Sequence, residues 1–522
     1  MIIKGPYPEV SIPNTALTPF VLHRAKELAN KPALIDGPTG RTLTYAQLAD
    51  SISIVAHNLS QRGFKKGDVF GILSPNCPEY AIAFHAIATL GGIVTTINPL
   101  YTKHEIAHQL KDSGARFLVT VPACAEKAGE VQKAGIEELF VFGSAEGATS
   151  FDSLLVDNGR AEQVEIDPLE DLVALPYSSG TTGLPKGVML THHNLVANIR
   201  QMEGLRYFSE ADTLICVLPL FHIYGLVVVL NMGLYSGSTI VTMPRFDLES
   251  FLKAVQDYEV TLAHLVPPIV LGLSKHPVVD NYKLPKLKTI FSGAAPLGEE
   301  LTRACMERIG CIIRQGYGMT ETSPVTHSSP APPQVTKFGS VGVAAPNTEC
   351  KIIDLETGEP LGPGQRGEVC VRGPQVMKGY LNRPDATAET IDPEGWLHTG
   401  DIGYADEDGH FYIVDRAKEL IKYKGFQVPP AELEAVLLSH PAVADAAVIP
   451  YPDDEAGEVP KGIIVLRQPA EAEEILQFVA ERVAPHKRIR YIEFAEKIPK
   501  SPSGKILRRV LVEMEKGKLA AT

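Results

Sequence analysis

The sequence predicts an α/β protein: a large, multi-layer N-terminal domain of parallel-rich sheets and helices with a small β-rich subdomain, then a small α+β C-terminal domain. Three observations predict it. With 522 residues and 44% hydrophobic content, the chain is too long for one core and apolar enough for several. Short β-branched runs alternate with helix-length segments over the first four hundred residues, the pattern of parallel strands joined by crossover helices. Around 338–415, strands shorten and turn pairs crowd together.

In order, GDVFGIL, PEYAIAFHAIATLGG and IVTTIN read as strand, helix and strand, as do STIVTM, DLESFLKAVQDY and TLAHLV further on. Around 338–415, FGSVGV, CKIIDL, GEVCVRG and HFYIVD are separated by TGE, GPG and DEDG, which predicts a mainly antiparallel β subdomain. After it, AELEAVLLSH and ILQFVAERVA read as helices, VADAAVIPY and GIIVLR as strands. The expected division is therefore 1–415, a hinge at 416–418 and a mobile domain at 419–522.

A formal charge of −13 excludes a general nucleic-acid binder, which would need a basic footprint. The one basic patch runs from Arg482 to Arg509; it reads either as a solvated surface or as a face that approaches phosphates. Seven scattered cysteines without a CxxC fit neither a disulfide framework nor a zinc ribbon, and a reducing cytoplasm is expected. MIIKGPYPEV shows no apolar signal core and KGKLAAT no peroxisomal or prenylation address. Thr213 to Pro244 carries no Asp, Glu, Lys or Arg and is long enough to span a bilayer. Because Pro219, His222, Asn231 and several Gly and Ser interrupt it, buried strands and a helix are expected there, with no membrane span.

Chemistry concentrates in five segments. PYSSGTTGLPKG offers backbone N–H groups at glycines, hydroxyls and Lys186, the donors a phosphate cradle needs, although Gly187 after Lys186 departs from the Walker pattern. In RQGYGMTETSPV, Gly316 and Gly318 permit close backbone approach, Tyr317 offers a flat face to a base, and Glu321 is a hard oxygen ligand suited to Mg²⁺. GWLHTGDIGY places Asp401 in a turn where its carboxylate can accept ribose hydroxyls. DRAKELIKYKGFQV is expected to set Lys418 and Lys422 on one helical face beside Arg416, and PKSPSGKILRR ends a turn with Lys505. Together they form an inventory for chemistry on a nucleotide's phosphates.

In this order and spacing, the five segments resemble the adenylate-forming superfamily of acyl-CoA synthetases, aryl-CoA ligases and beetle luciferases, from about residue 20 to residue 512. PLFHIYG, GYGMTETSPV and VPPAELEA are most similar to 4-coumarate–CoA ligases, bacterial and plant. The resemblance implies two parallel-rich sheets in the large domain. It also implies the activity: a carboxylic acid is adenylated by ATP with Mg²⁺, releasing pyrophosphate, and coenzyme A then displaces AMP.

Carried over residue by residue, the resemblance implies that Ser178, Ser179, Gly180, Thr181, Thr182, Gly183 and Lys186 grip the β and γ phosphates. Ala294, Ala295, Gln315, Gly316 and Tyr317 would frame adenine, with Gly318, Met319 and Thr320 completing the nucleotide site, and Asp401 and Arg416 would take the ribose. Glu321 with Thr182 would hold Mg²⁺, and Lys505 would bridge carboxylate and α-phosphate. His222 and Tyr224 would border an acyl channel shaped further by Val228, Gly293, Pro324 and Val325. Rotation about Lys418 would withdraw Lys505 and bring Lys422, Lys424 and Gly425 to the adenylate and CoA, with Arg245 meeting CoA phosphates.

The charge-free run around His222 offers no carboxylate for an ammonium, which disfavours amino-acid substrates, and no carrier domain follows, so free CoA is the expected acceptor. Tyr224 favours a hydroxycinnamate; a medium- or long-chain fatty acid is the alternative, and a luciferase-like oxygenase shares the same motifs. Oligomeric state is not legible. His104-Glu105-Ile106-Ala107-His108 matches the HExxH motif of zinc hydrolases, but Ile106 and Leu110 form an ordinary apolar stripe, so a surface helix is expected.

Overall fold

The computed structural model describes the chain except residues 133–134, 179–184, 332–335, 425, 454–455, 502–503 and 522, and side chains are not described at 130–132, 426–427 and 519–521. Among the described residues four sheets form, two of nine strands and two of five. The first large sheet is built around Val69–Leu73, flanked in parallel by Ile93–Ile97 and Ala115–Thr120. The second is built around Thr213–Cys216, parallel to Thr239–Thr242 on one side and to Leu262–Leu265, Thr289–Ser292 and Ile312–Gly318 in turn on the other. The expected α/β class, with two parallel-rich sheets, is what the chain adopts.

The helix Pro78–Thr89 buries nearly every side chain, Tyr80 and Phe84 completely, and its residues share one apolar core with Phe70 of the first large sheet and Leu214 of the second. A helix apolar all round belongs between layers, and this one lies there. Asn76, just past one central strand, donates to the carbonyls of Cys216 and Leu218 at 3.0 and 2.9 Å and accepts from the Leu220 amide at 2.7 Å, fixing the loop that leads to His222.

A five-stranded antiparallel sheet joins Glu349–Ile353, Gly367–Arg372, Leu397–Ala405 and Phe411–Arg416, with Ile3–Lys4 on its edge. FGSVGV, expected as one of its strands, begins as a turn at Phe338 and Gly339 and meets that sheet only through a bridge between Gly342 and Phe411. Gly339 and Gly342 take left-handed backbone, and a Cβ at Gly342 would lie 2.0 Å from the Ser328 backbone; strand structure begins only at Val343–Ala344, which pairs with Val325–Ser328.

In the smaller C-terminal domain, Val443–Asp453 and Gly457–Leu466 form a long hairpin packed under the helices Pro430–Ser439 and Ala472–Ala480. Lys418 and Lys422 do not share a helical face. Ile421–Tyr423 pairs antiparallel with Phe426–Val428 across a turn in which Lys424 has φ 46°, because Ile421 and Val428 are needed in the domain core while Lys422 points to solvent.

The charge-free run is divided as expected into buried strands and a helix, but Tyr224–Asn231 is wound as a π-helix. Among the described residues no helix is long and apolar enough to cross a membrane.

Candidate active site

A cavity of about 2430 Å³ opens at the carboxyl ends of the parallel strands of the second large sheet, where open α/β sheets bind ligands, and is closed from the other side by the C-terminal domain.

After the strand Thr289–Ser292, Gly293 donates to the Leu265 carbonyl at 3.1 Å and Ala294 takes φ 70°, an uncommon conformation for a residue with a Cβ. Ala294 and Ala295 line the cavity. Gln315 does not: its Oε1 accepts from the Leu297 amide at 3.0 Å and its Nε2 donates to the Leu297 carbonyl at 3.1 Å, so it steadies the alanine loop from behind. The sequence pattern carries no signal for that orientation.

The strand Ile312–Gly318 brings Gly316, Tyr317, Gly318, Met319, Thr320 and Glu321 to the cavity wall. Glycine is required at 318, where a Cβ would stand 1.9 Å from the Pro324 carbonyl oxygen. Glu321 is buried, and its Oε1 accepts from Ser178 Oγ and from the Tyr380 hydroxyl, each at 2.9 Å. Among the described residues no hydrogen bond reaches its Oε2, so a carboxylate oriented by two hydroxyls offers one oxygen to a hard cation. Tyr380, missed in the sequence, also lies under Lys186, whose Nζ is 4.6 Å from the ring centroid. Ser179, Gly180, Thr181, Thr182 and Gly183 of the predicted phosphate loop lie outside the described residues, as does Gly425.

The Tyr317 hydroxyl donates to Asp401 Oδ2 at 2.5 Å, and Arg416 Nε stands 3.3 Å from Asp401 Oδ1. Antiparallel register pairs Asp401 directly with Arg416, which puts the two in one place by sheet geometry alone. Burial raises the Asp401 carboxyl above its ordinary range, against the pull of Arg416, Tyr317 and Lys505.

Lys505 reaches the same cavity from the C-terminal domain. Its turn is closed by Ser501 N–H donating to the Lys505 carbonyl at 2.8 Å and by Lys505 N–H donating to Ser501 Oγ at 3.1 Å, and Gly504 at φ 79° packs on Val266 and Pro268 of the large domain. Burial, then repulsion from Arg416, lowers the Lys505 pKa, while Asp401, Glu321 and Glu419 oppose the shift. The remaining basic patch is largely spent in ion pairs: Lys487 with Glu432, Lys500 with Asp445, and Arg508 with Glu434 and Glu419.

The side of the cavity expected to take the acyl group is aromatic. His222, lowered to about 4 by burial and then by Lys505, is neutral at physiological pH. Tyr224, Val228, Gly293, Pro324 and Val325 all line the cavity, and the Tyr224 ring lies against Gly293, leaving no room for a Cβ there, which would be 2.8 Å from the ring. His264, also missed, is stacked between Phe208 and Phe291 at 5.5 and 5.3 Å and meets Tyr224 edge-on. Lys418, Lys422, Lys424 and Arg245 are solvent-exposed; Lys418 borders the cavity, while the other three do not line it.

His104 and His108 meet no metal-ligating partners among the described residues. Glu105 is a helix cap: Thr102 N–H donates to its carboxylate at 2.7 Å while its own amide donates to Thr102 Oγ1, so HExxH here is a capping box on the helix Lys103–Ser113.

Residues 21–381 match the model of the AMP-binding enzyme family and residues 432–505 that of the AMP-binding enzyme C-terminal domain. The chain belongs to the AMP-binding enzymes. It is 46% identical to 4-coumarate–CoA ligase 3 of Oryza sativa subsp. japonica, over 98% of this chain and 94% of that one, and 46% identical to the 4-coumarate–CoA ligase of Pinus taeda, over 98% and 97%. Among solved structures it is similar to the anthranilate CoA ligase in complex with anthranoyl-AMP, with TM-score 0.90, 27% identity and coverage of 98% and 99%. An ATP-bound relative from Rhodopseudomonas palustris superposes with TM-score 0.86 at 29% identity, covering 95% and 98%. Among the described residues of this AMP-binding enzyme, the segments around Gly316–Glu321, Asp401, Arg416 and Lys505 meet at the large cavity.

Proposed function

We propose that this protein is an ATP- and Mg²⁺-dependent acid–thiol ligase that joins a hydroxycinnamate, preferentially 4-coumarate, to coenzyme A through an acyl-adenylate. The carrying observation is that Lys505, more than a hundred residues from Glu321 and Asp401, enters the cavity they share with Arg416. The full-length likeness to relatives named 4-coumarate–CoA ligase and the aromatic acyl wall support the substrate.

In the first half-reaction a carboxylate oxygen attacks the α-phosphorus of ATP, forming the acyl–phosphate bond as the bond to pyrophosphate breaks. Negative charge gathers at the α-phosphate and on the leaving group, and positioned cations are what a protein can supply against it. Lys505 would bridge carboxylate and α-phosphate, Lys186 with residues 178–183 would hold the departing phosphates, and Asp401 and Arg416 would fix the ribose. Tyr317 and the Ala294–Ala295 loop, steadied by Gln315, would frame adenine. Glu321, with Thr182, would hold Mg²⁺, which when bound neutralises phosphate charge. His222, neutral, borders the carboxylate without adding a cation that competes with Lys505.

In the second half-reaction the CoA sulfur attacks the acyl carbon, the thioester bond forms and AMP leaves with the mixed-anhydride oxygen. Lys422, Lys424, Gly425 and Arg245 would serve this step after rotation at 416–418, with domains of 1–415 and 419–522. Seven free cysteines, five of them buried, support a reducing, cytoplasmic setting.

The test follows AMP release from ATP and Mg²⁺ with 4-coumarate, cinnamate, benzoate, octanoate and palmitate, with and without CoA. CoA-dependent release greatest with 4-coumarate is expected. Preference for octanoate or palmitate would replace the substrate, and absence of acid-dependent pyrophosphate–ATP exchange across the panel would refute the ligase.

A further inference from the structure

Strand geometry assembles a second constellation beside the ribose turn. Glu368 and Cys370 are two apart on the strand Gly367–Arg372 and so share a face, and antiparallel register sets Cys370 opposite His398 on Leu397–Ala405. His398 Nδ1 stands 3.6 Å from Cys370 Sγ and 3.1 Å from Glu368 Oε2, and the ligand atoms of all three lie within 4.8 Å of one another. Asp392 Oδ2 lies 3.7 Å from the other ring nitrogen, Nε2.

We propose that Glu368, Cys370 and His398 form a binding site for a thiophilic divalent ion of the zinc class, distinct from the Mg²⁺ site at Glu321. The spacings decide the geometry. Metal–ligand bonds of about 2.3 Å to sulfur and 2.0 Å to nitrogen and oxygen imply tetrahedral edges of roughly 3.5 Å for S···N and 3.3 Å for N···O. The observed 3.6 and 3.1 Å are within a few tenths of these, so an ion enters in place of the Nδ1 and thiol protons with movement mainly along the Glu368–Cys370 edge. The donor set of thiolate, imidazole and carboxylate selects zinc-like ions over Mg²⁺. Asp392 supplies the outer carboxylate that fixes a ligating histidine's tautomer. Glu368 and His398 border the large cavity, which gives the ion an entry path and leaves the fourth position to solvent.

The site is coupled to the nucleotide pocket through one bond: Glu368 Oε1 accepts from the Gly400 amide at 2.8 Å, immediately before Asp401. An ion on Oε2 therefore clamps the turn that presents Asp401.

The experiment titrates chelator-treated, Mg²⁺-free full-length protein with Co²⁺ and reads its electronic spectrum. One equivalent is expected, with tetrahedral visible bands and a near-ultraviolet thiolate-to-cobalt charge-transfer band, both displaced by Zn²⁺. Cys370→Ser should abolish the charge-transfer band, and Asp392→Asn should weaken binding about 10- to 100-fold. No band in the wild type, or an undiminished band in Cys370→Ser, overturns the proposal. Should Cys370→Ser not fold, judged by circular dichroism, the part-exposed His398→Asn replaces it: binding weakened at least tenfold supports the site and an unchanged titration overturns it.

Discussion

Lys505→Ala tests the division of labour between the two halves of the reaction. The substitution leaves the turn intact, since in its closing bonds the Ser501 amide donates to the Lys505 carbonyl and the Lys505 amide donates to Ser501 Oγ, and its docking surface is Gly504 on Val266. What is lost is one cation aimed at charge that develops in the transition state. Removing a donor of that kind costs about 2.7–4 kcal/mol, or roughly 10²–10³ in rate. Arg416 stays near Asp401, so nucleotide affinity should change far less. Adenylation is read by pyrophosphate–ATP exchange with 4-coumarate, thioesterification by CoA capture of supplied coumaroyl-adenylate. Exchange should fall by roughly 10²–10³ while thioesterification stays within about threefold, and Lys422→Ala should invert the pattern. Because the buried ammonium has a lowered pKa, wild-type exchange should be lost as pH rises through a value below the ordinary lysine range. Equal losses in both half-reactions would refute the reasoning.

Three further outcomes follow from single contacts. Burial raises Glu434 to about 7, against Arg508; the folded state then holds that proton more tightly than the unfolded chain does, so its contribution is present below about pH 4.5 and lost as pH rises through about 7. Urea midpoints measured between pH 5 and 8 should fall with pH, and less steeply in Glu434→Gln; Asp415, raised to about 6, sustains the remainder, and an unchanged slope would contradict the assignment. Gly293→Ala places a Cβ 2.8 Å from the Tyr224 ring, so KM for 4-coumarate should rise about tenfold, consistent with an overpacking cost of about 1–3 kcal/mol, with KM for ATP little changed. Glu105→Ala breaks the capping box and should cost about 1 kcal/mol in urea denaturation, whereas exposed His104→Ala should cost nothing measurable; loss of bound zinc from either variant would revive the hydrolase alternative.

How much of this was legible depended on how local the cause was. Alternation of β-branched runs with helices announced the parallel sheets, and the glycine at 318 is demanded by its own strand's return past Pro324. Tertiary orientation was not legible. Gln315 sits in a nucleotide-site segment yet spends both side-chain atoms on Leu297, while Tyr380 and His264 enter the site from segments with no motif of their own. Lys418 and Lys422 show a competing period: spacing by four suggested a helix, but Ile421 and Val428 belong in the core of a sheet, and core burial outweighs the surface preference of lysines.

The way the two domains meet bears on why one of them can carry two lysines for two steps. Among the described residues no buried apolar cluster combines side chains from before residue 415 with side chains from after 419. The domains instead touch over small areas: Lys275 Nζ donates to the Leu438 carbonyl at 2.8 Å, Gly298 faces Ala435, and Gly504 lies on Val266. Such an interface offers little hydrophobic resistance to separation, and relative motion is the default for domains joined this way. The strong contacts lie at the junction itself, where Asp415 accepts from the Ala431 amide at 2.9 Å and Arg508 pairs with Glu419 and Glu434. The first of these crosses 416–418, from the strand Phe411–Arg416 to the helix Pro430–Ser439, and the second lies wholly within the C-terminal domain. The rotation proposed at 416–418 would break the Asp415–Ala431 bond but keep the Arg508 pairs, so the small domain would travel as one body, withdrawing Lys505 without unfolding the turn that presents it and leaving Glu321, Tyr317 and Asp401 assembled for the second step.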